Sequence, residues 1–340
     1  MVYIIHHSAD FDGAFSAVIT ANGLGYENKG TERDKLFEFI PYNYQNELLV
    51  PFDNVKLSEV LKPEDMVIFV DCSYTKDEDE LRKMIDIVGP EMFILIDHHN
   101  TSINFFREKF PEIDMKGCED SSTADDPKSA ALLCHKYFNG ACKIPMSLEL
   151  VSKYDSWNKN DGNWMERTLP FQYGLRSKNL DLRNIPNSYD EIMKYLKDDS
   201  LASEILETGK IIVQHLMSES KGIIKSYSRE AKLYVEWENS VTYYKVLIAP
   251  GHLRNSTLFE FGLDKEKYDE YDLFILERPN PFTGVNNISI ISNRDDINAG
   301  RICQQFGGGG HFAIGSCNVK YKIIGQGDES LTMFKMETAE

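Results

Sequence analysis

The chain has no Cys-x-x-Cys pair, no apolar run near the roughly 18 residues of a membrane span, and fewer basic than acidic residues. Each shortage removes a class of protein. The six cysteines, Cys72, Cys118, Cys134, Cys142, Cys303 and Cys317, are unevenly spaced, so neither a zinc knuckle nor a disulfide framework is expected and the thiols are read as reduced. The N-terminal apolar stretch is too short for a signal peptide and acidic residues follow at once, so a soluble cytoplasmic protein with no membrane partner is expected. Lys and Arg number 37 against 54 Asp and Glu, a formal net charge of −17. Long nucleic acid is bound by releasing counterions through many basic side chains, so a partner of that kind is not expected. A short anionic substrate is compatible with the charge if bound cations reverse the local field. The sequence leaves a homodimer open.

What is present is a regular alternation of apolar strands and helical patterns, which predicts an α/β fold with a parallel sheet in the N-terminal part. The strand candidates there are residues 1–7, 37–44, 66–73 and 92–99, with helices over 77–88 and 125–138, Pro127 suiting a first turn. A further helical segment ends in Lys153-Tyr154-Asp155-Ser156-Trp157, and Gly162, Pro170, Gly174 and Pro186 make residues 158–187 read as loop. Leu201, Ile205, Ile212, Leu216, Ile223 and Tyr227 mark one face of a long helix connecting two domains. Strands over 231–237, 242–249, 271–277 and 285–292, then a helix over 297–306 entering a glycine run, predict a smaller α/β domain. The expected organisation is a catalytic domain over 1–190, a helical linker over 191–229, a substrate-binding domain over 230–325 and a flexible tail over 326–340.

Three of the N-terminal strands end in metal-binding side chains. His6, Asp10 and Asp12 follow the first strand, Asp71 follows the third, and Asp97-His98-His99 follows the fourth. In open parallel sheets the carboxyl ends of strands form the functional crevice. Ionisable groups gathered there would repel one another unless cations neutralised them. A mixture of carboxylate and imidazole suits Mn²⁺ or a related ion better than Ca²⁺ or structural zinc. His7, pointing away from His6 by strand alternation, reads as structural, and His135 and His215 read as packed or solvated helical residues. His252 ends a strand of the second domain and is a weaker candidate for substrate contact, while Trp157, which like Trp164 could stack on a base, is expected rather to pack behind Asp155.

In their order, His6 to Asp12, Asp71, Asp97-His98-His99 and Asp155 within Lys153–Trp157 resemble the DHH phosphoesterase family. Gly307-Gly308-Gly309-Gly310-His311 resembles the glycine-rich signature of the C-terminal domain associated with it. The resemblance implies two Mn²⁺ ions, with Mg²⁺ or Co²⁺ as alternatives. By position, His6 and Asp10 would hold one, Asp12, His98 and Asp155 the other, and Asp71 would bridge both. Two ions roughly 3.5–4 Å apart suit an in-line phosphoryl displacement. Asp97 would orient an imidazole, and His99 would bind the scissile phosphate or protonate a leaving oxygen. Substrate would be gripped by Gly308, Gly309, Gly310, His311 and Arg294. Tyr154–Trp157 looks closest to the nano-RNase, or oligoribonuclease, branch, which implies hydrolysis of short oligonucleotides to mononucleotides. Action on 3′-phosphoadenosine 5′-phosphate or on cyclic or linear dinucleotides is the alternative within the enzyme class, and a nucleotide sensor without turnover the alternative outside it. Phe11 and Phe15 flank the first motif where many relatives carry smaller or polar residues, which bears on pocket shape.

Overall fold

Uninterrupted apolar strands build the first sheet because each must bury both of its faces. β1 (Val2–His7), β2 (Phe37–Tyr42), β3 (Met66–Val70) and β4 (Phe93–Ile96) run parallel in the order β2-β1-β3-β4. The computed structural model describes all residues except 45, 52–53, 122–125, 160–161, 238–239, 252–255, 311, 327–330 and 339–340, and falls into two units, Met1–Val213 and Gln214–Glu340. In the first unit the strands alternate with helices α1 (Phe11–Gly23), α2 (Glu78–Val88), α3 (Asn100–Lys109), α4 (Ala130–Asn139), α5 (Met146–Asp155), α6 (Leu169–Arg176) and α7 (Ile185–Lys197). Ile4, Ile68 and Ile96 pack on α1 and α4 to α7, whereas Ile5, Phe69 and Leu95 pack on α2 and α3. The strand order reverses beside β1, so the carboxyl ends of β1 and β3 border the crevice where such sheets bind ligands.

The long helix α8 (Asp199–Tyr227) crosses the division between the units at Val213. The second unit holds β5 (Arg229–Trp237), β6 (Ser240–Pro250), short helices α9 (Thr257–Gly262) and α10 (Lys265–Tyr268), β7 (Leu273–Asn280), β8 (Val285–Ser292), α11 (Ala299–Gln304), β9 (Gly309–Gly310), β10 (Ile314–Gln326) and β11 (Thr332–Thr338). β11 pairs with β5 on one side and β10 on the other, so the ladder closes on itself around Leu233, Ile248, Ile275, Ile290, Val319 and Phe334. The predicted class, an α/β chain with a parallel first sheet, a long helix and a smaller second domain, is the observed one. Among the described residues no helix is long and apolar enough to cross a membrane.

Several boundaries differ from the sequence expectation, each for a local reason. The helix expected over 125–138 begins at Ala130, where the Ser129 hydroxyl caps it and Asp12 takes the first two free N–H groups. The stretch 158–187, expected as loop, contains a π-helical turn over Trp164–Thr168 and then α6. Pro170 lies at the start of α6, where its missing N–H costs nothing, and Gly174 marks a helix crossing. A Cβ on Gly174 would lie 2.1 Å from Ile205 O, and one on Gly209 1.7 Å from Pro170 O, so α6 and α8 meet backbone to backbone. The linker expected over 191–229 is part helix α7, packed into the first unit through Ile192, Met193 and Tyr195. In place of a flexible tail over 326–340, residues 332–338 are a paired strand. Its polar outward residues hide the inward alternation of Phe334 and Met336.

The crossing of α6 and α8 gives a stability prediction. Gly209→Ala forces the helices apart and should destabilise the fold by about 1–3 kcal/mol, whereas Gly222→Ala, with nothing within 4 Å, should stabilise it by about 0.5–1 kcal/mol. Denaturant midpoints check both signs, and equal responses at the two sites would contradict the crossing.

Candidate metal centre

The end of β1 and the start of α1 are locked together before any side chain is considered. A Cβ on Gly13 would lie 2.0 Å from His7 O, so glycine alone lets the first turn of α1 rest on the strand end. Asp10 is the N-cap of α1 and accepts from Gly13 N–H at 3.1 Å. Its other carboxylate oxygen lies 2.8 Å from His7 Nδ1. Asp12, the second residue of α1, is buried, with its two oxygens accepting from Ala130 N–H at 2.8 Å and Ala131 N–H at 3.0 Å at the start of α4. A carboxylate at that position is favoured by the helix dipole and held in one orientation.

Asp71 sits between the remaining groups. It follows β3 in a left-handed backbone conformation, φ 58°, with its N–H on Ile96 O at 3.0 Å. Such a conformation is costly for a residue other than glycine and concentrates at functional sites. One oxygen of Asp71 faces His98 Nε2 at 3.4 Å, and the other faces His7 Nδ1 at 3.6 Å. His98 Nε2 also lies 3.2 Å from Asp155 at the end of α5. Ligand atoms of Asp12, His98 and Asp155 fall within 4.8 Å of one another, as do those of His7, Asp10 and Asp71, and those of Asp71, Asp97, His98 and His99.

The histidine tautomers follow from the hydrogen bonds. Ser121 Oγ donates to His98 O at 3.2 Å and so accepts from His98 Nδ1–H at 3.0 Å, which turns Nε2 toward the carboxylates, its lone pair becoming free when the ring sheds its second proton. His6 Nδ1 donates to His7 O at 3.1 Å, leaving Nε2 bare. Asp97 Oδ1 accepts from His98 N–H at 2.7 Å, His99 N–H at 3.1 Å and His99 Nδ1–H at 2.7 Å. Asp97 therefore orients His99, while His98 is oriented by Ser121, a hydroxyl for which the sequence carries no signal.

The electrostatics show a surplus of buried negative charge. Burial and the Asp71 charge push Asp12 up to about 8, and burial with Asp12 and Asp71 pushes Asp155 well above the carboxylate range. Burial would lower His98, but Asp71, Asp12 and Asp155 raise it to about 10, and Asp10 and Asp71 likewise raise His7 to about 10. Burial lowers His6 to about 4, and His7 and His98 hold Asp71 low despite its burial. His6 Nε2, Asp71 Oδ2, Asp97 Oδ2 and His98 Nε2 are buried without a hydrogen-bond partner among the described residues. Buried imidazole nitrogens and carboxylate oxygens without partners are what a divalent cation would satisfy, and the donor set fits one.

The structure thus brings Asp10, Asp12, Asp71, Asp97, His98, His99 and Asp155 together. Strand alternation gives His7 a structural role, yet its ring joins Asp10 and Asp71, whereas His6 falls in none of these groups. Trp157, expected to pack behind Asp155, is 50% exposed, and Trp164 is the buried indole. In the second unit Arg294 is engaged, Nε and Nη2 on Asp296 at 2.9 and 2.7 Å and Nη1 on Asp272 at 2.8 Å. Gly309 and Gly310 pair with Ser316 and Gly315, and a Cβ on Gly308 would lie 2.1 Å from Ser316 O, so close approach to β10 demands glycine here. Arg278, unremarked in the sequence, reaches this hairpin through Ser289 at 3.2 Å, which contacts Ser316 at 3.0 Å. His311 and His252 lie outside the described residues. His135 is buried against Asn139 in α4, and His215 is exposed on α8.

No curated protein matches the chain. Among solved structures, the fold is similar to a pGpG-specific phosphodiesterase, PggH, from Vibrio cholerae, at 14% identity and a TM-score of 0.51 over 94% of this chain and 93% of that one. It is also similar to an exopolyphosphatase-related protein from Bacteroides fragilis, at 14% identity and a TM-score of 0.44 over 97% and 88% of the two chains. Residues 1–139 match the DHH family, N-terminal domain, a span that contains all four parallel strands and every residue of the cluster except Asp155.

Proposed function

We propose that the chain is a divalent-metal-dependent phosphodiesterase that hydrolyses short oligonucleotides to mononucleotides. In this reading His6, Asp10, Asp12, Asp71, His98 and Asp155 hold two Mn²⁺ ions. The observation that carries it is the placement of Asp71, one oxygen toward His7 in the group with Asp10 and the other toward His98, which itself meets Asp12 and Asp155, as a carboxylate between two cation sites would be. His6 supplies an imidazole with its Nδ1–H already committed and Nε2 bare. His7, protonated between Asp10 and Asp71, places a positive charge where those carboxylates otherwise call for a cation.

Held by these residues, two such ions would lower the pKa of a water and neutralise charge on the phosphoryl oxygens. The chain's own groups supply the remainder. The start of α4 holds Asp12 and the left-handed turn holds Asp71, so neither has to reorganise when substrate binds. Burial alone would lower the pKa of His99, but Asp97, gripping its Nδ1–H, raises it, which favours a proton at Nε2 for transfer to the leaving oxygen. In the second unit, Gly308, Gly309, Gly310 and His311 are the proposed anion-facing backbone and donor. Arg294 would join them by exchanging Asp272 or Asp296 for phosphate. A linear dinucleotide is the shortest substrate of this class, a choice favoured by the likeness to the pGpG-specific enzyme.

With Mn²⁺, a labelled RNA dimer to pentamer should be cleaved to mononucleotides, and Asp71→Asn or His98→Ala should lower kcat/KM by about a thousandfold or more while circular dichroism is unchanged. Undiminished turnover in Asp71→Asn would refute the mechanism. The protein should bind two Mn²⁺ and His6→Ala one, by equilibrium dialysis; loss of an ion in His7→Ala instead would make His7 the ligand. Because His98 is raised to about 10 and Asp12 to about 8, both hold protons at about pH 7 in the metal-free protein and must shed them to bind. Mn²⁺ affinity should therefore rise from about pH 6 to 8 with proton release, measured by calorimetry in buffers of different ionisation enthalpy. An affinity independent of pH would contradict this.

A further inference from the structure

Helix α5 ends, immediately after Asp155, in a Schellman arrangement. Trp157 N–H donates to Tyr154 O at 3.2 Å and Asn158 N–H to Lys153 O at 3.0 Å. The left-handed residue of this motif is ordinarily glycine, and here it is Trp157 at φ 54°. Since half of its surface is exposed, packing does not account for a bulky residue in that backbone state. The rings behind it are already stacked: Trp164 is buried, Tyr154 lies parallel to it at 5.6 Å, and Trp157 meets them edge-on at 5.2 and 5.9 Å.

Two cations are seated on this aromatic group. Lys159 Nζ lies 4.6 Å from the Trp157 ring centre, and the Arg176 guanidinium lies 5.1 Å from that of Tyr173 while donating to Tyr154 Oη at 3.2 Å. In a chain of net charge −17, a cation on an exposed ring two residues from Asp155, with a second on the ring of Tyr173, suits a ligand that is both flat and anionic. We propose that the exposed indole of Trp157 is the platform on which a nucleobase stacks while the attached phosphate is held at the Asp71 cluster. The proposal rests on the nucleotide reading of that cluster and adds to it the group that makes the base contribute to binding. Base stacking on an aromatic side chain contributes roughly ten- to hundredfold in affinity and tolerates any base.

Binding of AMP and of ribose 5-phosphate to the Mn²⁺-loaded protein, by calorimetry, separates the base from the phosphate without requiring turnover. The wild type should bind AMP about tenfold or more tightly than the base-free sugar phosphate. Trp157→Gly should collapse that preference to about twofold, and Trp157→Tyr should restore most of it. Because glycine is at ease in the left-handed position, Trp157→Gly should melt no lower than wild type. A preference for AMP that survives Trp157→Gly overturns the platform, as does a lowered melting temperature with AMP affinity intact, which would make Trp157 a packing residue. If oligonucleotides are not hydrolysed yet the base preference depends on Trp157, the platform stands and the phosphodiesterase reading fails.

Discussion

Negative charge crowded at the ends of parallel strands governs the first unit. Asp10, Asp12, Asp71, Asp97 and Asp155 gather with the imidazoles of His7, His98 and His99, and the burial of Asp12, Asp71 and Asp97 keeps water from screening their charge. The chain meets this repulsion with fixed dipoles and shared protons: the start of α4 on Asp12, backbone N–H groups on Asp97, and raised proton affinities on His7 and His98. Two metal ions would do the same work more completely. A buried arrangement costly without cations and stable with them links folding to metal uptake as closely as it links metal to chemistry.

The geometry is built outward from two backbone features. Gly13 lets α1 abut the end of β1, which sets Asp10 at the N-cap and Asp12 in the first turn beside the strand end. The left-handed turn at Asp71 swings a carboxylate back over the ends of β1 and β4. Neither feature is a ligand, and each decides where ligands stand.

Most of the first unit was legible because its strands are short, apolar on both faces and separated by helices, a pattern with few alternative folds. Asp71 could be singled out because a carboxylate directly after an apolar strand is conspicuous, whereas Asp155 was legible only through the likeness of Lys153–Trp157 to the DHH family. The respective places of His6 and His7 were not legible, since strand alternation stops governing side-chain direction where the strand turns into a loop. Ser121 was invisible, because a serine in a loop has no distinctive pattern until it lies against a histidine ring. Gly174 and Pro170 misled because the residues that break helices in solution are the ones that let two packed helices touch. Arg294 shows the limit of reading a cation by its position in a motif, since its partners Asp272 and Asp296 are set by folding.

The closed ladder of the second unit has a consequence for how the protein is made. Its seam joins β5, the first strand of that unit, to β11, the last. Chains emerge from the ribosome in order, so the seam cannot be sealed until the final strand has been synthesised, and until then β5 and β10 present unpaired edges to the cell. The first unit, whose sheet is complete by Ile96, faces no such wait. The two halves of one polypeptide therefore complete their sheets at different times, the second only when its last strand has been made.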